Sequence, residues 1–243
     1  GVYRAIVAAP HEIERRLKDC AHDIKEVRGD DGIRIALDEW NLWWLPQQLI
    51  APRWSLRDAL FVSGVFNALM RCAEFVGMAN IAQMINVLGV IGAAGKRFYR
   101  TAIYYPFVIY SNLAGEYRCE TEVECANFSS PRLGGIPSMD EVPVLDCQAT
   151  LSEDGENMTV FVINRDPSDD IDVEIKLEDF EPKGDTEINC LNGPSTNAMN
   201  FFGRDETVSI KKDVKDCGDV LPSYKFPAHS VTALVLKGES RIS

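Results

Sequence analysis

The sequence lacks the features that mark several large functional classes. Its seven cysteines (Cys20, Cys72, Cys119, Cys125, Cys147, Cys190 and Cys217) are odd in number and form no Cys-x-x-Cys pair. Neither a zinc site nor a complete disulfide framework is indicated, and free, mostly buried thiols are expected. Basic residues are in the minority, 25 Lys and Arg against 37 Asp and Glu, giving a net charge of -12 and a pI near 4.8. Phosphate binding needs a clustered basic surface, so no nucleic-acid partner is expected. The apolar run from Phe61 to Met70 is broken by Ser63, Gly64 and Asn67 and closes on Arg71, too short and too polar for a membrane span. No membrane association, cofactor or metal is expected, and there is no internal repeat or low-complexity tract. The compartment is undecided, with the cytoplasm slightly favoured over secretion, and the absence of a charged start followed by an apolar stretch says little on it. Two glycosylation sequons, Asn127-Phe-Ser129 and Asn157-Met-Thr159, keep a secreted origin open.

What is present centres on one stretch, Gly32 to Trp44. A short β-prone run, 33–37, ends in two carboxylates, Asp38 and Glu39, followed by Trp40, Asn41, Trp43 and Trp44. Aromatic faces pack on the apolar faces of sugar rings, while amides and carboxylates bind hydroxyls. A carboxylate at the C-terminal end of a strand is where barrel enzymes keep their chemistry. The same residues have plainer uses, since acidic pairs after strands often serve as turns or caps and tryptophans as core. Strand alternation groups Glu39 with Ile33, Ile35 and Leu37, and Asp38 with Arg34 and Ala36, without deciding which set faces inward.

At 243 residues and 46% hydrophobic, the chain can bury one large core or two smaller ones. Apolar positions at three- and four-residue spacing predict an amphipathic helix over 11–27, with His11 and His22 as surface or helix-end residues. Gly29 to Gly32 then turns the chain into the strand. Ser55 followed by Asp58 opens a largely buried helix from Leu56 to Glu74. A short apolar segment at 75–79 leads into three amides, Asn80, Gln83 and Asn86, at what would be another strand end. A glycine-bearing loop, 89–95, precedes an aromatic helix over about 102–114, in which Pro106 is tolerated if it falls in the first turn. Residues 1–115 therefore alternate strand and helix as parallel βα units do. From Glu116 the texture changes to short β-prone segments (142–150, 158–164, 171–177, 207–211 and 231–237) between polar turns. These predict an antiparallel β-sandwich over 116–243, closing its own core, with the boundary near 115–120.

The run Asp38-Glu39-Trp40-Asn41-Leu42-Trp43-Trp44, followed by Met78-Ala79-Asn80-Ile81-Ala82-Gln83-Met84-Ile85-Asn86-Val87-Leu88, resembles the C-terminal half of the α-L-arabinofuranosidases of glycoside hydrolase family 51. Val142 to Asp146, Val162 to Arg165 and Phe226 to Val231 are similar to that family's C-terminal domain. The resemblance implies the last two βα units of a (β/α)₈ barrel followed by the sandwich, and retaining hydrolysis of terminal α-L-arabinofuranosyl groups from oligosaccharides or polysaccharides. It implies Glu39 as nucleophile, with Gln83 and Trp43 binding the sugar and Asp38 orienting the strand end. The family's acid/base glutamate belongs to an Asn-Glu dipeptide, and this chain has none. A closed barrel needs about 250 residues. The upstream barrel half of the same enzyme is therefore the expected partner, and the chain alone is expected to be inactive. Homo-oligomerisation stays open. A second reading makes 116–243 a non-catalytic carbohydrate-binding or oligomerisation module, although that part contains no tryptophan.

Overall fold

The computed structural model describes residues 1–29, 32–43, 53–216 and 223–241. Asp30 and Asp31 of the expected turn, Trp44, Pro46 and Pro52, and Cys217 lie outside the described residues. The flanking Gly29 and Gly32 both have φ +68°, the left-handed region that favours glycine in such a turn.

Helix α1 spans Val2–Arg28 and starts earlier than the spacing predicts. Its first turns, Ala5 to Pro10, are buried on every side, so they show no polar alternation to read. Pro10 lies inside this helix and packs against Gly64 of α2 (Leu56–Arg71), where a Cβ would sit 2.7 Å from the proline Cγ. The two helices approach closely at that point. Helix α2 opens as its sequence indicates, with the Asp58 carboxylate accepting from Ser55 N (2.7 Å) and Ser55 Oγ (2.8 Å). Helix α3, Tyr104–Leu113, holds Pro106 in its first turn.

Strands β1 (Ile35–Trp40) and β2 (Val76–Ile81) pair in parallel, α2 forming the connection between them. The expected loop at 89–95 is instead a hairpin of β3 (Ile91–Ala94) and β4 (Arg97–Arg100). Its glycines hid it from the pattern, yet they serve it. Gly95 takes φ +58° at the turn, and Gly92 lies under the Tyr99 ring, where a Cβ would come within 2.2 Å.

The rest of the chain builds β5 (Tyr117–Cys119), β6 (Asn127–Ser130), β7 (Met139–Pro143), β8 (Leu145–Leu151), β9 (Asn157–Asn164), β10 (Ile171–Glu174), β11 (Phe180–Asn192), β12 (Ser209–Asp216), β13 (Ser223–Phe226) and β14 (Ser230–Ser240). Six of these form one antiparallel sheet in the order β12-β11-β14-β9-β8-β5. The pattern missed β11, the longest described strand, whose first half is interrupted by Pro182 and Gly184.

Alternation divides the sheet into two apolar faces. Leu145, Ala149, Val160, Val162, Ile188, Leu234 and Leu236 face one side, together with Phe226 of the β10–β13 ribbon. Phe161, Ile163, Leu191, Val231 and Ala233 face the other, and there they share one core with Val7, Leu56, Leu60, Ile109 and Tyr110 of the helices. Tyr110 stacks on Phe161 at 4.4 Å between centroids. A sandwich closing its own core was expected; the first of these cores lies wholly within residues 116–243, and the second is shared with the helices. The three helices form a layer over one sheet face, because one face of α1 to α3 and one face of the sheet are both apolar.

Candidate functional site

The acidic stretch sits at the C-terminal end of β1, and a bulge decides how it is presented. Leu37 pairs with Ala79 and Trp40 with Ile81, so Asp38 and Glu39 stand opposite the single residue Asn80. The extra residue lets both Leu37 and Trp40 turn towards the core while Asp38 and Glu39 are exposed. Strict alternation, which grouped Glu39 with Leu37, therefore fails here. Trp40 is core, edge-on to Phe66 (5.8 Å) and stacked with Phe107 (6.4 Å). Trp43, by contrast, is 72% exposed just beyond the strand.

Parallel pairing brings the loop after β2 to the same end. The carbonyl of Trp40 accepts from Ala82 N (3.1 Å), and Asn41 Nδ2 donates to Ala82 O (2.6 Å) and Leu88 O (2.9 Å). Gln83 follows directly and is exposed. The Ala82–Gln83 peptide is cis. Of the three amides at this strand end, Asn86 is committed to the fold, its Oδ1 accepting from Ala93 N (2.7 Å). Asn80 and Gln83 remain exposed. Behind the loop, buried Trp54 donates its indole N–H to Gly89 O (3.1 Å). Glu39, Gln83 and Trp43 thus lie on segments that meet at one end of the β1–β2 pair. A solvent-open hollow lined by Glu116, Ser152, Glu153 and Asp154 includes none of them. Among the described residues, no cluster of His, Cys, Asp and Glu could hold a metal ion, and no helix is long and apolar enough to cross a membrane. The six described cysteines are free thiols.

Sequence reading missed a charged cluster between the helices and the sheet. Asp146 of β8, 5% exposed, takes Arg165 Nη2 at 2.5 Å and Arg71 Nη1 at 2.9 Å. Arg71 reaches on to Glu14 of α1 (2.8 Å), which also holds Lys18 (2.6 Å). Arg165 Nη1 donates to Pro143 O (3.0 Å) and contacts His11 Nε2 (2.9 Å). Burial alone would raise the Asp146 carboxyl, but the Arg165 and Arg71 guanidiniums outweigh it and hold the group below the usual range. Burial first, then the positive Arg165, pushes His11 down to about 4. A neutral His11 accepting from Arg165 replaces the expected surface or helix-end histidine. His22, exposed beside Glu26, does fit that expectation.

This cluster also explains segments that are far apart in sequence. Leu145-Asp146 and Asn164-Arg165 meet across β8 and β9, Leu145 pairing with Asn164. Asn164 Nδ2 then donates to Phe226 O (3.1 Å) and Pro227 O (3.0 Å), tying in the turn before β14. The local signal was a charge inside each apolar run, at Asp146 and at Arg165.

Comparison with known proteins adds an independent line. The sequence profile of the α-L-arabinofuranosidase C-terminal domain matches residues 38–230. A protein named probable α-L-arabinofuranosidase C from Aspergillus fumigatus is 31% identical over 248 residues, covering 96% of this chain and 47% of its own length. The intracellular exo-α-(1->5)-L-arabinofuranosidase 1 of Bacillus subtilis is 25% identical, covering 82% and 41% respectively. Among solved structures, the α-L-arabinofuranosidase of Thermotoga maritima in complex with arabinose superposes with a TM-score of 0.90 at 28% identity, over 97% of this chain and 50% of that one. The family 51 enzyme of Thermotoga petrophila gives 0.85 at 27% identity, over 94% and 48%. The chain spans about half the length of the relatives it matches.

Proposed function

The chain belongs to the α-L-arabinofuranosidases of glycoside hydrolase family 51, and from this we propose that it carries the nucleophile half of a retaining arabinofuranosidase active site. In this reading residues 1–115 are the C-terminal portion of a (β/α)₈ barrel, β1 and β2 being its last two strands, and residues 116–243 are the sheet domain packed beneath. The observation that carries it is the bulge at the end of β1, which raises Glu39 out of the core beside the loop bearing Gln83.

The reaction is a double displacement. A Glu39 oxygen attacks the anomeric carbon of a terminal α-L-arabinofuranosyl group as the glycosidic C–O bond breaks, and an acid protonates the departing oxygen. Water then attacks the arabinosyl-enzyme ester, gives its proton to the same acid/base group, and releases arabinose with its configuration retained. In retaining enzymes the two carboxyl groups lie about 5–5.5 Å apart. The acid/base comes from the upstream barrel half, since the Asn-Glu dipeptide that carries it in the family is absent from this sequence. Gln83 binds sugar hydroxyls and Trp43 covers a sugar face. Ligand pockets enclose about 70–90% of a small ligand, which three exposed side chains do not, so the remaining walls also come from upstream. Arabinose-containing oligosaccharides or polysaccharides are the substrates, and self-association of the whole enzyme is compatible with this. The module reading of 116–243 has less support, because both faces of the six-stranded sheet are already covered.

The test joins this chain to the upstream half of a family 51 enzyme in one polypeptide. Glu39→Ala should abolish turnover of an aryl α-L-arabinofuranoside, and azide should restore part of it by taking the carboxylate's place. Wild-type turnover by that variant would overturn the assignment.

A further inference from the structure

We propose that Asn41 is a positioning residue, fixing the loop that carries Gln83 against the strand end that carries Glu39. The inference rests on reading this end as the arabinose site. Asn41 follows β1 directly and is half-buried. Its sequence neighbours invite the view that its amide donates to a sugar, but its hydrogen bonds are already made within the fold. Both Nδ2 protons are committed, one to Ala82 O (2.6 Å) and one to Leu88 O (2.9 Å), and Oδ1 accepts from Leu42 N (2.8 Å). No donor remains for a hydroxyl.

The two carbonyls lie at opposite ends of residues 82–88, so one side chain closes the loop. Trp40 O accepts from Ala82 N at 3.1 Å, and residues 40 and 41 therefore hold both backbone polar groups of Ala82. On the far side of Gln83, Met84 O accepts from Ile91 N (3.0 Å) and Ile91 O from Asn86 N (2.8 Å). The Gln83 side chain is free to meet a ligand while the backbone on either side of it is held. The chemistry of this place demands an amide of this length. Aspartate supplies no proton and sets a charge against two carbonyl oxygens, and serine supplies one proton from a shorter arm. A misplacement near 1 Å in a catalytic constellation can cost about 100-fold in rate, which is the scale on which such a tie acts.

Two measurements test this. In the chain itself, amide hydrogen exchange of Asn41→Asp should quicken across 82–91 while Leu42, whose acceptor the carboxylate retains, and β9 and β14 keep their protection, with Asn41→Ser intermediate. Unchanged exchange in 82–91 would overturn the proposal. In the joined enzyme, kcat/KM of Asn41→Asp, Gln83→Ala and the double variant form a cycle. Asn41→Asp should lose about 10- to 100-fold. If it acts through Gln83, the double variant should fall less than about 3-fold below Gln83→Ala alone, because the interaction being positioned is already gone. Fully multiplicative losses would mean that Asn41 acts elsewhere. Glu39→Ala separates the two readings: if it keeps activity the arabinose site itself is wrong, and if it is dead with losses multiplicative, only the role of Asn41 falls.

Discussion

His11 shows how one residue can change meaning between a helix wheel and a packed protein. Its ring lies among Arg165, Asp146, Arg71 and Glu14, and burial with the neighbouring Arg165 charge lowers it from 6.5 to about 4. Between those values the unfolded chain binds a proton that the folded chain does not, so stability rises with pH across this window. Acidification from about pH 6.5 to about pH 4 should therefore cost the protein on the order of 2–3 kcal/mol through this residue. His11→Gln, which can still accept from Arg165 without titrating, should flatten that part of the profile. Urea midpoints from pH 4 to 7 would show it, and an unchanged slope in the variant would refute the assignment. Asp146 works in the opposite range. Its depressed carboxyl contributes stability above the unfolded carboxylate value, and this is lost only as pH falls through its folded value.

At the scale of elements, two irregularities set the functional end of the chain. The bulge in β1 breaks alternation so that a carboxylate pair and a core tryptophan can be near neighbours in one strand. The β3–β4 hairpin, bonded at its base to Met84 and Asn86, supports the loop after β2. Its own fit depends on Gly92 lying beneath Tyr99, whose ring is also packed against Phe201 and Phe202 (5.3 and 4.7 Å). Gly92→Val has to displace that ring from an aromatic cluster shared with the sheet domain. Overpacking of this kind costs about 1–3 kcal/mol. The denaturation midpoint should drop accordingly, and a variant as stable as wild type would mean that the hairpin adapts freely.

At the scale of the whole molecule, the helices and the six-stranded sheet act as one body. Phe161, Ile163, Leu191 and Val231 are each buried against the helical layer, at about 1.5–3 kcal/mol for a fully buried large apolar side chain. Together this matches the roughly 5–15 kcal/mol that typically separates folded from unfolded domains. Residues 116–243 expressed alone should bind a hydrophobic dye and melt without cooperativity, whereas the complete chain should unfold in a single transition. Two transitions, with 116–243 folding independently, would show that the sheet closes without its helices. The same chain should show no useful hydrolysis of an aryl arabinofuranoside until the upstream half is supplied. Robust turnover by the 243-residue chain would place an acid within it.

Local order along the chain was enough to mark the strand-end carboxylates, the Ser55 and Asp58 helix start and about half of the strands, namely β1, β2, β8, β9, β10, β12 and β14. Each of these depends on neighbours within a few residues, where periodicity and capping chemistry act. Tertiary structure alone decided that Trp40 faces inward while Glu39 faces out, that the Asn41 amide serves Ala82 and Leu88, and that His11 meets Arg165. The last two join residues 41 and 154 positions apart or more. No period in a sequence encodes such pairs, because they arise only when two apolar faces find each other and the polar groups trapped between them must satisfy one another.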